Sequence, residues 1–261
     1  MDPAAVLAEL EHADRTGATP RLGGMARAGG VVIVSPLYWA YAGVDGTVKE
    51  GRMPQPPRSL RAIPLARGLV RLAASLSPVF RRSGVARRRE RYFLIAAMVA
   101  PLALIFAPNW VGLIVGAITT FALLGWLLRG RTLYLHGAEH RAIAATEERR
   151  LTDTWHDRAR PSRFSLRCGT NFAALLAPIA VLGGRFWPLP ATALTPLVVS
   201  ILALALTMEL WLLVQGSRRL ARVVLIPGLA LQRATTREPE LDETRVALTA
   251  VACVLRRERG D

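Results

Sequence analysis

Lysine is almost missing from this chain of 261 residues. Lys49 is the single one, so arginine supplies nearly all of the 34 basic side chains, against 19 acidic ones. The formal charge of +15 is therefore arginine charge, and those arginines flank apolar runs instead of gathering on one polar surface. That distribution disfavours nucleic acid as a partner and points to a membrane protein with basic loops. Cysteine is equally scarce. Cys168 and Cys253 are far apart, and both fall in segments expected to face the cytoplasm, where thiols stay reduced, so no disulfide is expected. The first 20 residues are polar and acidic. They lack the charged start and apolar core of a secretory leader, and none is expected. No internal repeat is visible beyond two apolar hairpins.

What is abundant is apolar. Hydrophobic residues make up 52% of the chain, and the mean hydropathy is +0.29. Four apolar segments stand out, at 92–107, 110–128, 172–183 and 191–214. The first two are joined only by Pro108-Asn109, which implies a tight helical hairpin. The third reaches a spanning length only if the loop that follows it is partly embedded, whereas the fourth is long enough to span unaided. Arg81, Arg82, Arg87, Arg88, Arg89 and Arg91 precede the first segment. Arg129, Arg131 and seven further arginines up to Arg167 fill the central stretch, and Arg218, Arg219 and Arg222 follow the fourth segment. The two opposite loops hold only Arg185. The positive-inside rule then places both termini and residues 129–171 in the cytoplasm.

The remaining stretches read as supporting structure. Residues 1–22 form a polar, partly helical leader. Residues 23–58 carry the Gly29-Gly30 pair, the β-rich run Val31-Val32-Ile33-Val34 and an Asp45-Gly46 turn signal, and end in a linker with Pro54, Pro56 and Pro57. A small β-hairpin or meander is expected there. Residues 59–91 alternate arginine with Leu65, Leu69 and Leu72, as in an amphipathic helix lying on an anionic lipid surface. The stretch from Asp242 to Leu255 reads as a final helix within the segment 215–261, with acid at its start and Arg256 and Arg257 at its end.

Chemistry is concentrated in His136-Gly137-Ala138-Glu139-His140. On a helix, the two imidazoles lie one turn apart on one face with a carboxylate beside them. This is the H-x-x-E-H order in which two histidines bind a metal and the glutamate serves as general base. Only four histidines exist, and two of them are here. His156, between acidic residues, reads as a solvated loop histidine. Cys168 precedes the third apolar segment and is a second candidate ligand, with Thr170 or Asn171 as a helix cap. Glu209 lies inside the fourth apolar segment, where a carboxylate is costly and is a functional candidate by default.

These motifs resemble the DUF1385 family, bacterial membrane proteins typified by the YqhQ-like proteins and described as metal-dependent enzymes. The similarity runs from about Gly23 to Leu255. It rests on Gly23-Gly24, Gly30 and Pro36; on Ile63-Pro64-Leu65-Ala66-Arg67-Gly68; and on the His136–His140 motif. It continues through Arg167-Cys168-Gly169-Thr170-Asn171-Phe172, Glu209, Pro227-Gly228-Leu229-Ala230-Leu231-Gln232 and Thr235-Thr236-Arg237-Glu238-Pro239. The resemblance implies that both histidines, Glu139, Cys168 and Glu209 form one polar cluster. The chain departs from the family at Ser165, where a histidine is usual, and at Gly29 and Val34, where a glutamate and an arginine are usual.

The resulting expectation is a mainly α, polytopic protein of the cell membrane. It has about four transmembrane or re-entrant helices, a small N-terminal β region and cytoplasmic amphipathic helices. His136, His140, Cys168 and Glu209 are the metal ligands, Glu139 is the catalytic base, and the cofactor is a divalent metal, zinc first and iron second. Membrane lipids are the expected partners, the reaction is hydrolysis of an unnamed substrate, and the oligomeric state is open. A non-catalytic scaffold with a structural metal or polar cluster is the alternative, and iron-dependent redox chemistry a further one.

Overall fold

The structure is a computed structural model that describes residues 1–17, 19–81, 83–103 and 109–260. Arg82 and the end of the first apolar run up to Pro108 lie outside the described residues. The elements run α1 (Pro3–Thr16), β1 (Gly23–Arg27), β2 (Gly30–Val34), β3 (Tyr38–Gly43), β4 (Val48–Arg52), α2 (Arg58–Ala62), α3 (Ala66–Phe80) and α4 (Arg88–Ala103). They continue with α5 (Asn109–Leu127), α6 (Thr132–Glu148), α7 (Leu151–Trp155), α8 (Gly169–Arg185), α9 (Thr195–Val214), α10 (Arg218–Val224), α11 (Ile226–Thr235) and α12 (Leu241–Gly260). The chain is mainly helical with one small antiparallel sheet. It divides into two compact units. The first contains Met1–Gln55, Arg129–Asn171 and Arg222–Asp261, and the second contains Pro56–Leu128 and Phe172–Ala221.

The first unit is built on a four-stranded meander in the order β1-β2-β3-β4. Two-residue turn chemistry joins β1 to β2, with Arg27 opposite Gly30. The Asp45-Gly46 signal closes β3 to β4: Gly46 takes a positive φ of 79°, and the Asp45 carboxylate accepts the Thr47 N–H at 3.0 Å. The register places Val31 opposite Ala42 and Ile33 opposite Ala40, so these four share one face. That face is covered by α6 and α12, and α1 packs against α12 and α7. Val6, Leu10, Val31, Ile33, Leu135, Leu248 and Val251 meet in the resulting core. Leu135 and Leu248 are fully buried, and cutting either to alanine costs about 2–5 kcal/mol. α12 is charged as its macrodipole favours, with Asp242 and Glu243 in its first turn and Arg257 and Arg259 in its last.

In the second unit the expected amphipathic helix is broken in two. Between α2 and α3, Leu65 has φ 67° and the Ala66 N–H bonds the Pro64 carbonyl at 2.8 Å, a γ-turn that is strained for a branched residue. Pro64 disfavours helix at Ile63, which explains the break. α3 then packs on α9, with Gly68 at the closest approach: a Cβ there would lie 2.7 Å from Met208 Cβ. α4 packs on α5, and Phe172 of α8 meets Trp211 of α9 edge to face at 6.1 Å. By length and composition α9 is the one candidate bilayer-crossing helix among the described residues; a shorter apolar stretch, Ile114–Gly125, lies within α5. Pro196 sits in the first turn of α9, where it opens the helix, while Pro178 lies inside α8.

Candidate metal centre

α6 carries the His-x-x-Glu-His motif through the middle of the first unit, and each of its five residues meets a different neighbour. Ala138 is buried in the core. Gly137 lets the chain cross, since a Cβ there would lie 2.1 Å from the Arg237 carbonyl oxygen. The crossing segment is held by the Arg237 N–H on the Leu133 carbonyl at 2.9 Å. Arg141, one residue past the motif, is buried and grips the same segment through the Glu238 carboxylate and the Pro239 carbonyl. Glu139 points at the sheet, where Gly24 makes room: a Cβ at Gly24 would lie 2.9 Å from both Cγ and Oε1 of Glu139.

The two imidazoles are oriented from behind. His136 Nδ1 lies 2.8 Å from the Thr235 carbonyl, and His140 Nδ1 lies 2.7 Å from the Arg163 carbonyl. A carbonyl only accepts, so both Nδ1 atoms carry the hydrogen and both Nε2 atoms present lone pairs. This is how metal-binding histidines are held, the backbone fixing tautomer and ring orientation. The rings stand 4.5 Å apart at an interplanar angle of 65°. His136 Nε2 lies 3.2 Å from Cys168 Sγ, whereas His140 Nε2 is buried without a hydrogen-bond partner. An orphaned buried acceptor of this kind calls for an explanation.

Cys168 completes the group. Donor atoms of His136, His140 and Cys168 all lie within 4.8 Å of one another. In a tetrahedral zinc site with ligand distances near 2.0–2.3 Å, donors are separated by about 3.5 Å, so small side-chain shifts suffice. Cys168 directly precedes α8, and its sulfur does the capping: it accepts the Thr170 hydroxyl at 3.1 Å and the Thr170 N–H at 3.4 Å. Asn171 does not cap. Its amide donates to the Ser165 carbonyl at 2.9 Å and its oxygen accepts from Gln232 at 3.0 Å. Gln232 in turn accepts the Ser165 N–H at 2.9 Å, and Gly228 lets α11 lie against Asn171. This network docks α11 on the cysteine loop and thereby positions the Thr235 carbonyl behind His136.

Burial sets the protonation states. It lowers both histidines, and His140 is held down to about 3 by burial together with His136. Both imidazoles are therefore neutral and free to ligate. Burial pushes the Glu139 carboxyl up to about 8. It also pushes the Cys168 thiol up to about 11, with the charge of Glu139 adding to the effect. Burial thus favours the protonated form of both acids. A divalent ion would offset that effect, and the N,N,S donor set suits zinc.

The structure brings His136, His140 and Cys168 into one donor group, with Glu139 close enough to act on Cys168 but outside that group. Glu209 is engaged in the second unit. Its carboxylate accepts Arg67 Nε at 2.9 and 3.0 Å, forms an ion pair with the same guanidinium, and accepts the Leu65 N–H at 3.0 Å. Ser165, at the position of the usual family histidine, uses its hydroxyl locally to accept the Arg167 N–H at 3.1 Å. His156 is exposed at the end of α7. The orienting carbonyls of Arg163 and Thr235 escaped sequence reasoning because any residue type can supply them. Gln232 and Asn171 did carry a signal, as polar residues within the resemblance motifs.

No curated protein sequence and no solved structure matches this chain. The DUF1385 family, described as a protein of unknown function, matches residues 94–257, which include α6, the cysteine loop, Glu209 and α11 but not the sheet or the strained turn. Since that match covers more than half of the sequence, the chain belongs to the DUF1385 family.

Proposed function

We propose that this protein is a membrane-bound metal-dependent hydrolase. His136, His140 and Cys168 are the ligands, zinc is the metal, and Glu139 is the general base. The observation that carries this reading is the orientation of the two histidines. Each is pinned through Nδ1 by a backbone carbonyl, which leaves Nε2 to face a ligand; Nε2 of His136 lies 3.2 Å from Cys168 Sγ, and Nε2 of His140 is buried with no partner. Glu139 supports it further, as a buried carboxyl poised near pH 8 beside, but not within, the donor group. When bound, the ion supplies Lewis acidity and a water acidified toward neutral pH. Thr235 and Arg163 hold the ligands in the correct tautomer; Glu139, once a bound ion's charge favours its ionised form, would take the proton of the attacking water, and Gly24 leaves room for its carboxyl.

Membrane attachment belongs to the same proposal. The proposed location is the cell membrane with both termini in the cytoplasm; four apolar segments with arginine on one side support it, and α9 is the one candidate span among the described residues. The arginines of α3 and its surroundings suit anionic lipid headgroups.

The decisive experiment compares metal content and ester hydrolysis in purified wild type, Glu139→Gln and His140→Ala. The wild type is expected to hold one metal per chain. Glu139→Gln should keep the metal and lose turnover by about 10²–10⁴-fold, the range typical of a general base. His140→Ala should lose both. A metal-free wild type overturns the metal site; full activity in Glu139→Gln overturns the base.

A further inference from the structure

α11 has two faces with different work. Gly228, Gln232 and Thr235 point to the cysteine loop and to His136. Ile226, Leu229, Ala230 and Arg233, spaced i, i+3, i+4 and i+7, line the other side and form, together with Phe164, an open cavity of about 410 Å³. That volume falls in the range of about 300–1,000 Å³ common to small-molecule sites. Among the described residues, four of the lining side chains are apolar and the fifth is cationic. No carboxylate pairs with Arg233 among the described residues. Arg163 stacks its guanidinium on Phe164 at 5.0 Å and adds a second positive charge next to the wall. Glu238 pairs with Arg141 and lies 3.6 Å from Arg163, so it partly offsets that second charge, whereas Arg233 remains available for an outside anion.

Two lining residues are close in sequence to the residues that orient the histidines. Phe164 directly follows Arg163, whose carbonyl pins His140, and Arg233 lies two residues before Thr235, whose carbonyl pins His136. Ile226, at the start of the lining row, is more than half exposed.

We propose that this cavity binds the hydrocarbon chain of an anionic amphiphile, with Arg233 taking the anionic head. If the hydrolase reading above holds, that amphiphile is the substrate class; the binding claim itself does not depend on the metal. Charge selects against cationic and neutral amphiphiles, and the apolar wall selects against free phosphate.

The test uses the full chain in a neutral detergent with two photoactivatable probes, a diazirine fatty acid and a diazirine phosphatidic acid. Labelled residues are mapped by mass spectrometry, and competition is run with dodecyl phosphate, dodecyltrimethylammonium and inorganic phosphate. Labelling is expected at Phe164 and along residues 226–233, to be competed by dodecyl phosphate only. Leu229→Trp, which fills the cavity, should reduce it about tenfold, and Arg233→Gln should weaken dodecyl phosphate competition about tenfold. Capture of the fatty acid alone marks a free anionic lipid as the occupant, and capture of phosphatidic acid marks a bilayer lipid; both support the site. Labelling spread evenly over the apolar helices, or unchanged in Leu229→Trp, overturns it. Metal content is measured on the same samples. Labelling without metal leaves the cavity standing and removes the hydrolase, while metal without labelling does the reverse.

Discussion

Glu139 and Glu209 are both acids that the sequence offers as functional candidates, one in the histidine motif and one inside an apolar segment, and the structure gives them opposite surroundings. Glu209 is held by Arg67 and by the Leu65 N–H, so its charge is neutralised and its oxygens are used. It ties the strained turn before α3 to α9. Glu139 has no cation beside it among the described residues; it rests against Gly24, near a protonated cysteine and two neutral histidines. A buried carboxylate with a fitted arginine is a structural clamp, whereas one kept protonated by burial is a group with chemistry left to do. The presence of the acid says little, and its partner decides the role.

Four changes break or sharpen this contrast. The largest effect is expected from His140→Ala, which should weaken metal binding by more than about a hundredfold, beyond the range of changes to orienting partners. Elemental analysis reads it, and Glu209→Gln in the same assay should leave metal content unchanged. Stoichiometric metal in His140→Ala would sink the donor group.

Gly24→Ala comes next. The added methyl meets Glu139 at 2.9 Å and the Val32 carbonyl at 2.7 Å. Overpacking of this kind costs about 1–3 kcal/mol of stability. Displacement of the carboxyl should also lower kcat while metal content holds. An unchanged kcat would separate Glu139 from the reaction.

The third change is pH. In the folded protein Glu139 titrates at about 8 against an ordinary 4.5, so its contribution to stability is intact below about 4.5 and is lost as pH rises to about 8. His140 is shifted the other way, to about 3 from 6.5, so its contribution is present above 6.5 and lost as pH falls. In chelator-treated protein, urea melts from pH 6.5 to 8 should therefore show stability falling by up to about 1.4 kcal/mol per pH unit. Glu139→Gln should flatten that slope and Glu209→Gln should not. A slope that persists in Glu139→Gln rules out Glu139 as its source.

The smallest effect is expected from Leu65→Gly. Glycine accepts φ 67° without strain, worth about 1 kcal/mol, while removal of the partly exposed leucine side chain offsets some of this. The melting temperature should shift by no more than a few degrees, with metal content constant. A large loss would show that the leucine side chain, and not the Glu209 clamp, holds the turn.

Much of the local structure was legible. The Asp45-Gly46 turn, the β-rich run at Val31 and the final helix follow from turn chemistry, alternation and end charges. So did the motif helix, because histidines four apart on an apolar helix share a face. The leader was legible as a helix but not as core, because Val6, Leu10 and Ala13 are too few to mark a buried face until α12 is placed against them. The pairing of Glu209 with Arg67, 142 positions away, left no local trace. Nor did the break at Leu65, since a positive φ in a leucine is stabilised from outside.

By itself the sequence determined which groups were available: two imidazoles one helical turn apart, one thiol at a helix start, one carboxylate in the histidine motif and one in an apolar segment, and the glycines that let chain segments touch. Tertiary structure decided what each group does. Three separate stretches fold into one unit, and only there do the carbonyls of Arg163 and Thr235 arrive behind His140 and His136. Donor orientation depends on backbone atoms that every residue carries, so residue identity cannot encode it. The role of a buried acid depends on whether a cation meets it, and that is settled by packing between residues far apart in the chain.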